Sequence, residues 1–301
     1  MGQLEDMYLF SRVVESGSIT KAAEQLNIAK SAISKRLAAL EHKLGIKLIN
    51  RTTRKSSITD AGVHYYQRSK LIMDEVEELN CQTTSTAREL HGSLNIAVPL
   101  SFGVLHLAPA LDLYLKQHPL LNLNIDFSDK KIDIVEQGVD LAFRIGHLEN
   151  ASFQARKIAP INAVFCASPE YLNTHGTPQT PHDLKAHKIL KYESAAHAGY
   201  RFFSLDGSEQ LVQLDTHMRA NNGDFLMAMA NAGHGITYLP TFIGWQALAT
   251  QALVPVLENY QLPSMHAYAI YPANRHLPLK VRKLIDFLVE RFGDNPYWDQ
   301  I

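Results

Sequence analysis

Five polar or small residues recur at helical spacing between positions 30 and 38, and they could make contact with DNA. Ser31, Ser34, Lys35 and Ala38 fall on one line of a helix, and Lys30 lies beside them. Hydroxyl groups and cations hydrogen-bond to base edges and phosphates, while a small residue lets two backbones approach closely. This face therefore suits the floor of a DNA major groove.

The other face of the same segment is apolar. Ile33, Leu37, Leu40 and Leu44 follow one another at steps of four, three and four residues. This spacing predicts a helix that docks its apolar stripe on a core. The polar line is then left free to face a ligand.

A shorter helix is predicted just upstream. Ser18 is a good N-cap, and the helix it begins runs through Leu26 before a tight turn at Asn27 and Ile28. Two helices joined so closely form a helix-turn-helix. Periodicity alone fits an ordinary helical hairpin with a solvated basic face equally well.

Residue identities at fixed offsets favour the first of these two interpretations. Together they resemble the amino-terminal domain of LysR-type transcriptional regulators, which is a mainly α-helical winged helix-turn-helix. The matching residues are Phe10, Val13, Gly17, Ser18, Ile19, Thr20, Ala22, Ala23, Leu26, Ile33, Ser34, Leu40, Glu41, Leu44, Gly45, Leu48, Arg51, Thr59 and Gly62. Ala29 departs from the Ser that usually opens the recognition helix, Lys30 replaces a frequent Gln, and Ile49 replaces the usual Phe.

The segment after Gly45 is typical of a wing. IKLINRTTRKSSIT predicts a strand, a turn and a second strand, with Arg51, Arg54 and Lys55 clustered at the tip. These cations would meet phosphates or a minor groove, although a solvated charged hairpin is the alternative. The candidate DNA contacts are Ser18, Thr20, Lys30, Ser31, Ser34, Lys35, Arg51, Arg54 and Lys55.

A long helix is predicted from Asp60 to the high 80s. Tyr65, Ile72 and Leu79 recur every seven residues, as do Ser69, Val76 and Thr83 between them. Such a weak heptad seam favours pairing of two copies, which would let two recognition helices read both halves of a palindrome. The alternative is a helix that packs on its own effector domain. The polar run CQTTSTARELHG then predicts a hinge.

From Ser93 onward, short apolar strands alternate with helices, which predicts a parallel α/β sheet. KIDIVEQG is expected to be one of the short helices. Resemblance to the family's effector domain covers this half and implies two subdomains like those of periplasmic binding proteins. INAVFCAS and MHAYAIYP would be the strands that cross between the subdomains.

The predicted domains follow from these patterns. Residues 1–60 form the DNA-binding domain, 61–90 the linker and dimerisation helix, and 91–301 the effector-binding domain. Subdomain I comprises 93–163 and 267–301, and subdomain II comprises 164–266.

Ligands of open α/β sheets bind beyond the carboxyl ends of the strands. Ser101 follows the first strand and Arg144 ends a neighbouring one, so both could bind the carboxylate of a small organic anion. Equally, Ser101 could cap its helix and Arg144 could pair with an internal carboxylate. The candidate effector contacts are Leu100, Ser101, Phe102, Ser128, Arg144, Asn222 and Tyr238.

Charge divides unevenly along the chain. Residues 1–60 hold ten Lys and Arg against six Asp and Glu, a net charge of +4, and the remainder holds 19 against 24, a net charge of −5. A positively charged N-terminal segment followed by a negatively charged remainder fits a DNA-binding module confined to the N-terminal segment. The acidic start MGQLEDMYLF differs from a signal peptide, and no apolar run reaches membrane-helix length, so we expect a cytoplasmic protein without membrane partners.

Motifs for enzymatic chemistry are missing from the sequence. GxSxG, HExxH, GxxxxGK[ST], GxGxxG and CxxC do not occur, and the closely spaced histidines lack ligand partners, so we expect no catalysis, cofactor or metal. The two cysteines form no disulfide framework, and Cys166 lies in the apolar run AVFCAS, which predicts a buried, inert thiol. A solute-binding protein or an enzyme on the same scaffold are the alternatives to a regulator. The family implies a homodimer or homotetramer on an interrupted palindrome.

Overall fold

The structure is a computed structural model that describes residues 2–51, 56–83, 90–128, 134, 138–146, 148, 153–193, 199–204, 207–272 and 277–300. The chain divides into an N-terminal and a C-terminal unit, with the boundary between positions 89 and 90. Within the described ranges, no helix is both long and apolar enough to cross a membrane.

The N-terminal unit is a winged helix-turn-helix followed by a long helix. Its elements are α1 (Gln3–Ser16), α2 (Ile19–Leu26), α3 (Lys30–Leu44), β1 (Ile49–Arg51), β2 (Ser56–Ile58) and α4 (Asp60–Thr83). Asn27 ends α2 in the left-handed conformation, with φ 52°, and this makes the tight turn into α3. The apolar stripe of α3 is buried with Phe10 and Leu48, so the predicted core of the unit is confirmed.

The long helix packs on this unit through part of its predicted heptad seam. The ring of Tyr65 meets Phe10 edge-on, with ring centroids 5.5 Å apart, and Ser69 is buried. Ser69 is therefore packed inside its own unit and Tyr65 is half-buried against it, while the pairing of two copies along this helix stays a prediction. The helical period is the same for internal and external packing, so spacing alone cannot separate the two.

In its described residues, the C-terminal unit contains two five-stranded sheets and one three-stranded sheet. The first sheet has the order β4-β3-β5-β15-β6, the second β11-β8-β12-β7-β13, and the small sheet β10-β9-β14. The strands are β3 (His91–Val98), β4 (Leu120–Phe127), β5 (Leu141–Gly146), β6 (Phe153–Ile161), β7 (Ala163–Ala167), β8 (Ile189–Tyr192), β9 (Tyr200–Ser204), β10 (Glu209–Val212), β11 (Thr216–Ala220), β12 (Ile236–Pro240), β13 (Val254–Val256), β14 (Tyr260–Gln261) and β15 (Met265–Pro272).

Helices accompany both large sheets. They are α5 (Leu100–Phe102), α6 (Ala108–Gln117), α7 (Pro169–His175), α8 (Gly223–Asn231), α9 (Thr241–Ala249) and α10 (Leu279–Phe292). A π-helical segment, Gly103–Leu107, joins α5 to α6 without a break. A short 3₁₀ helix, Tyr297–Asp299, follows α10 near the end of the chain. The segment KIDIVEQG, predicted to be helical, lies largely outside the described residues.

Two predictions about the sheets need correction. β3 pairs in parallel with β4 and β5, but β15 runs antiparallel to β5 and β6, so the first sheet is mixed. The chain passes from the first sheet to the second between β6 and β7, where only Asn162 separates the strands. MHAYAIYP forms a strand as predicted, but it does not cross between the sheets, since all of β15 pairs with β6.

Candidate DNA-binding surface and ligand crevice

The predicted groove face of α3 is open to solvent. Lys30, Ser31 and Lys35 are exposed and Ser34 is half-buried, whereas Ile33 on the opposite side is fully buried. The structure thus brings the four polar candidates to one surface at the N-terminal half of the recognition helix. Residues at this end are the ones that reach base edges in helix-turn-helix proteins.

The two candidates at the start of α2 sit at a helix N-terminus. The Ser18 hydroxyl oxygen accepts a hydrogen bond from the Thr20 N–H at 3.2 Å, and Thr20 is exposed in the first turn. Backbone N–H groups at a helix start attract phosphates. Ser18 therefore shapes this end of α2, while the exposed Thr20 hydroxyl remains able to contact a phosphate.

The wing forms as an antiparallel pair of strands. Ile49 pairs with Ile58 and Arg51 with Ser56, which confirms the predicted strand, turn and strand. Arg54 and Lys55 lie outside the described residues, as does the side chain of Arg51. Their proposed contacts with DNA stay predictions.

Glu41, buried near the end of α3, fixes the wing to the recognition helix. One carboxylate oxygen accepts hydrogen bonds from the N–H groups of Leu48 and Ile49, at 3.0 and 3.1 Å, and the other contacts Lys47 Nζ at 2.7 Å. Burial favours the neutral acid, but the bonds from Lys47, Ile49 and Leu48 outweigh it and lower the pKa of Glu41. The sequence matched Glu41 to the family without showing this role.

Replacing Glu41 with alanine should destabilise the N-terminal unit by about 2–3 kcal/mol, because two buried N–H groups would lose their acceptor. Glu41→Gln is the matched control, since it keeps an acceptor oxygen and loses only the charge. Because the pKa of Glu41 is lowered on folding, its stabilisation is present above the unfolded-state pKa and disappears as pH falls through the folded-state pKa. Urea unfolding between neutral and acidic pH checks both effects, and an alanine variant as stable as wild type would contradict them.

Thr59 and Gly62 lock the start of α4 against the wing. The Thr59 hydroxyl donates to the Lys47 carbonyl at 2.8 Å and accepts from the Gly62 N–H at 2.9 Å. A Cβ atom on Gly62 would lie 2.2 Å from the carbonyl oxygen of Leu48, so only glycine permits this approach. Close packing between α4 and the wing thus gives a physical reason for threonine at position 59 and glycine at position 62, two of the residues that match the family pattern.

In the C-terminal unit, Arg144 lies across the carboxyl ends of the first sheet. Its Nη1 donates to the Ser128 carbonyl oxygen at 3.1 Å, and the Ser128 N–H donates to the Val98 carbonyl at 3.0 Å. Strands β3, β4 and β5 all end at this edge. The structure therefore brings Arg144 and Ser128 together where a ligand was expected.

Ser101 instead connects the two subdomains. Its hydroxyl donates a hydrogen bond to the carboxylate of Asp224 in α8. Pro99, and not Ser101, is the N-cap residue of α5, so Ser101 does not cap this helix. Its hydroxyl is already bonded to Asp224. Asp224 was not among the sequence candidates, because its partner lies 123 residues away.

The remaining effector candidates have diverse environments. Leu100 is exposed, whereas Phe102 is fully buried among aromatic rings, and the effector contacts expected of both residues stay predictions. Asn222 accepts from the Phe225 N–H at 2.8 Å and caps α8. Tyr238 is half-buried in the middle of β12, and burial raises its pKa to about 12.

A junction near the C-terminus was missed by the sequence candidates. His106 Nε2 lies 2.8 Å from the Phe242 carbonyl oxygen, which can only accept, so this nitrogen carries the hydrogen. Nδ1 then accepts from the Tyr297 hydroxyl at 2.6 Å. Burial lowers the pKa of His106, although the hydrogen bond to Phe242 acts in the opposite direction. The lowered pKa favours the neutral ring.

Asp299 completes this junction. One of its oxygens accepts from the Thr241 hydroxyl at 2.5 Å and the other from the Asn162 side-chain amide at 3.0 Å. It thereby joins the C-terminal segment to α9 and to the crossing between β6 and β7. The signal in the sequence was the PYWD run, Pro296 to Asp299, which combines two aromatic rings with one carboxylate.

Cys166 is fully buried in β7, as predicted. Burial raises its pKa to about 12, so the thiol stays protonated at neutral pH. Such a thiol is a poor nucleophile. In the described residues, no three His, Cys, Asp or Glu side chains cluster as metal ligands would.

Comparison with known proteins places both units in one family. The family described as "Bacterial regulatory helix-turn-helix protein, lysR family" matches residues 4–63, and "LysR substrate binding domain" matches 87–293. An HTH-type transcriptional regulator of Haemophilus influenzae is 40% identical, covering 93% of this chain and 98% of its own. The regulator CrgA of Neisseria meningitidis is 34% identical, with 97% of each chain covered.

Solved structures show the same similarity. A structure of CrgA from Neisseria meningitidis has a TM-score of 0.62 and 32% identity, and it covers 96% of this chain and 99% of its own. Full-length AphB of Vibrio cholerae, described as a virulence activator and a member of the LTTR family, has a TM-score of 0.59 and 26% identity. This match covers 96% of this chain and 99% of the AphB chain. The likeness thus spans both units of the chain.

Proposed function

Because the chain belongs to the LysR family of bacterial transcriptional regulators, we propose that it binds an interrupted palindromic operator and alters this binding when a small organic anion enters its C-terminal unit. It has the family's DNA-binding helix-turn-helix and its effector-binding domain. The observation that carries the proposal is the exposed polar face of α3 above a buried apolar stripe. We further propose that the protein works in the cytoplasm and catalyses no reaction.

The DNA contacts we propose divide into two classes. Lys35 reads a base edge in the major groove, with Lys30, Ser31 and Ser34 beside it. Arg51, Arg54 and Lys55 of the wing, and Ser18 and Thr20 at the start of α2, hold phosphates. Exposure of Thr20, Lys30, Ser31 and Lys35 supports this assignment.

We propose that the chain assembles as a homodimer or a homotetramer. A single recognition helix reads only a few base pairs, so a palindrome needs at least two copies. Leu79 of α4 is 63% exposed, which leaves an apolar side chain on the distal part of the helix. Ile125 and Phe127 are exposed on one face of β4, an edge strand of the first sheet, and this offers a second apolar surface for self-association.

The effector is proposed to act through a population shift. It binds in the crevice between the subdomains, favours one packing of these subdomains and so changes the spacing of the DNA-binding units in the assembly. A ligand can shift this equilibrium only by its difference in affinity for the two states. Arg144 supports an anionic effector, because its guanidinium lies at the carboxyl ends of the strands.

Replacing Arg144 with methionine should abolish sensing without abolishing DNA binding. The variant keeps much of the side chain's bulk but loses the charge and the donors, and about tenfold or more in effector affinity should be lost with them. Arg156→Met on β6 is the matched control, since Arg156 is an exposed cation of the same sheet, 3.6 Å from Asp286.

Calorimetry and footprinting with organic acids from the pathway of the neighbouring gene test this assignment. Operator affinity without ligand should be equal in wild type and both variants. The ligand-dependent change should be lost only in Arg144→Met. If that variant binds and responds at wild-type ligand concentrations, Arg144 is structural and the proposed effector contact is misplaced.

A further inference from the structure

Arg36 follows Lys35 on the recognition helix α3, and its guanidinium is held by side chains of α1. Its Nε and Nη2 atoms both donate to Oδ1 of Asp6, at 3.1 and 2.8 Å, and Nη2 also donates to Oε2 of Glu5 at 3.2 Å. The side chain of Arg36 is 23% exposed and that of Asp6 is 30% exposed. This partly buried contact joins two helices across 30 residues of sequence.

A contact of this kind fixes the rotation of α3 about its own axis. Ile33, Leu37 and Leu40 decide which face of the helix is buried, but apolar contacts are non-directional. A guanidinium donates from a rigid planar fork, so its hydrogen bonds are directional. The contact between Arg36 and Asp6 therefore adds an angular constraint that the apolar stripe lacks.

The rotation of α3 decides whether its polar face reaches base edges. Side chains extend about 5–6 Å from a helix axis, so a rotation of about 10° moves the groove face by about 1 Å. N–H···O hydrogen bonds fall in a narrow range of about 2.7–3.2 Å between donor and acceptor. A shift of this size is therefore enough to break a hydrogen bond between Lys35 and a base, whereas the attraction between a cation and a phosphate falls off slowly with distance.

A second arginine links α1 to the other helix of the helix-turn-helix. Nη2 of Arg12 in α1 donates to Oε1 of Gln25 in α2 at 3.0 Å, and Nη1 donates to Oε2 of Glu15 at 2.9 Å. Arg12 lies in the C-terminal half of α1, whereas Arg36 contacts its N-terminal half. Since the two contacts are at different ends of α1, this helix braces α2 and α3 together.

The charges around Arg36 disfavour a direct contact with a DNA phosphate. Two carboxylates contact one guanidinium, so the group of Glu5, Asp6 and Arg36 carries one net negative charge. A phosphate that approached this group would be repelled or would have to replace the carboxylates. The contact within the protein is therefore the one that Arg36 keeps when α3 meets DNA.

We propose that Arg36 is a positioning residue for base recognition. Through its hydrogen bonds to Asp6 and Glu5, it fixes the rotation of α3 at which Lys35 meets its base, and it does not touch DNA itself. The inference rests on the proposed function in taking α3 to be the base-reading helix. It makes two residues of α1, outside the candidate DNA contacts, determinants of sequence preference.

Arg36→Met tests this role, because methionine keeps an unbranched side chain and removes the charge and the donors. Lys43→Met is the matched control, since Lys43 is an exposed cation in the last turn of the same helix. Affinities of the full chain are measured for the operator found by footprinting and for scrambled DNA of equal length, at several salt concentrations. The preference for operator over scrambled DNA should fall about three- to tenfold in Arg36→Met and stay at the wild-type value in Lys43→Met.

Non-specific binding separates positioning from a phosphate contact. Because Arg36 does not touch a phosphate, the affinity of Arg36→Met for scrambled DNA should stay within about twofold of wild type, with the same salt slope. Arg36→Lys keeps the cation and loses the planar fork, so its preference for operator should fall about two- to fivefold.

A double-mutant cycle tests whether Arg36 and Asp6 act through one contact. Asp6→Ala removes the main acceptor and leaves Glu5, so preference should fall about two- to fivefold. The double variant of Asp6→Ala with Arg36→Met should lose no more than Arg36→Met alone, because both changes remove the same contact. Far-UV circular dichroism and thermal unfolding check that each variant is folded, and Asp6→Ala and Arg36→Lys carry the test if Arg36→Met is not.

Four outcomes would overturn the positioning role. They are an unchanged preference in Arg36→Met, wild-type behaviour of Arg36→Lys, a double variant whose loss is the product of the single losses, and an equal loss on all DNA with a salt slope smaller by about one. Any of these, with a wild type that prefers the operator, leaves the proposed function standing. A wild type without this preference would contradict both.

Discussion

Replacing Trp298 with alanine is expected to lower the free energy of unfolding of the C-terminal unit by about 3–5 kcal/mol, the usual cost of truncating a buried tryptophan. Trp298 is fully buried. Its ring lies 4.4 Å from that of His106, 5.3 Å from Phe292 and 6.0 Å from Phe102, measured between centroids. The truncation would thus open a cavity among these three rings, where the C-terminal segment joins both subdomains.

Urea unfolding measures this loss, with far-UV circular dichroism and the fluorescence of Trp245 as probes. The chain has two tryptophans, so Trp245 still reports in the variant. Trp298→Phe is the control. It keeps an aromatic ring and removes an indole N–H that has no hydrogen-bond partner among the described residues, so its cost should be clearly smaller.

An alanine variant as stable as wild type would show that the junction does not hold the subdomains together. The expected loss would also affect sensing, because Asp299, the next residue, bonds to Thr241 of α9 and to Asn162. A loosened segment would release these contacts between the subdomains. Ligand-dependent footprints should then weaken in Trp298→Ala while operator affinity without ligand is kept.

The N-terminal unit could be predicted almost entirely from the sequence, because its determinants are local. The spacing of Ile33, Leu37 and Leu40 fixes which face of α3 is buried, and Ser18 marks the start of α2. The spacing of apolar residues could not show which surface a given helix face packs against. Tyr65 has the period of a dimer seam and packs on its own unit, since both arrangements require the same repeat.

The C-terminal unit was harder to predict because its contacts are distant in sequence. Ser101 bonds to Asp224, and His106 to Tyr297, across 123 and 191 residues. No periodicity links such pairs.

Lys35→Ala is expected to have the largest effect on recognition of DNA. Lys35 is exposed on the groove face of α3, in the N-terminal half that reaches base edges. A lost base contact costs about 1–3 kcal/mol per half-site, and a symmetric dimer loses it twice. Lys43→Ala is the matched control, because Lys43 is an exposed cation in the last turn of the same helix.

The most direct test is a series of affinities for operator variants at several salt concentrations. Footprinting across the DNA beside the protein's own gene provides the operator. The two half-sites should then be mutated one base pair at a time. Wild type, Lys35→Ala and Lys43→Ala are compared on the same series, so that loss of base reading is separated from loss of charge.

We predict that wild type discriminates at matching positions of two half-sites. Lys35→Ala should lose that preference at one position of each half-site, and Lys43→Ala should keep the whole pattern of preference. Equal losses on every sequence for Lys35→Ala, or equal wild-type affinity for operator and scrambled DNA, would contradict the assignment of α3 as the base-reading helix.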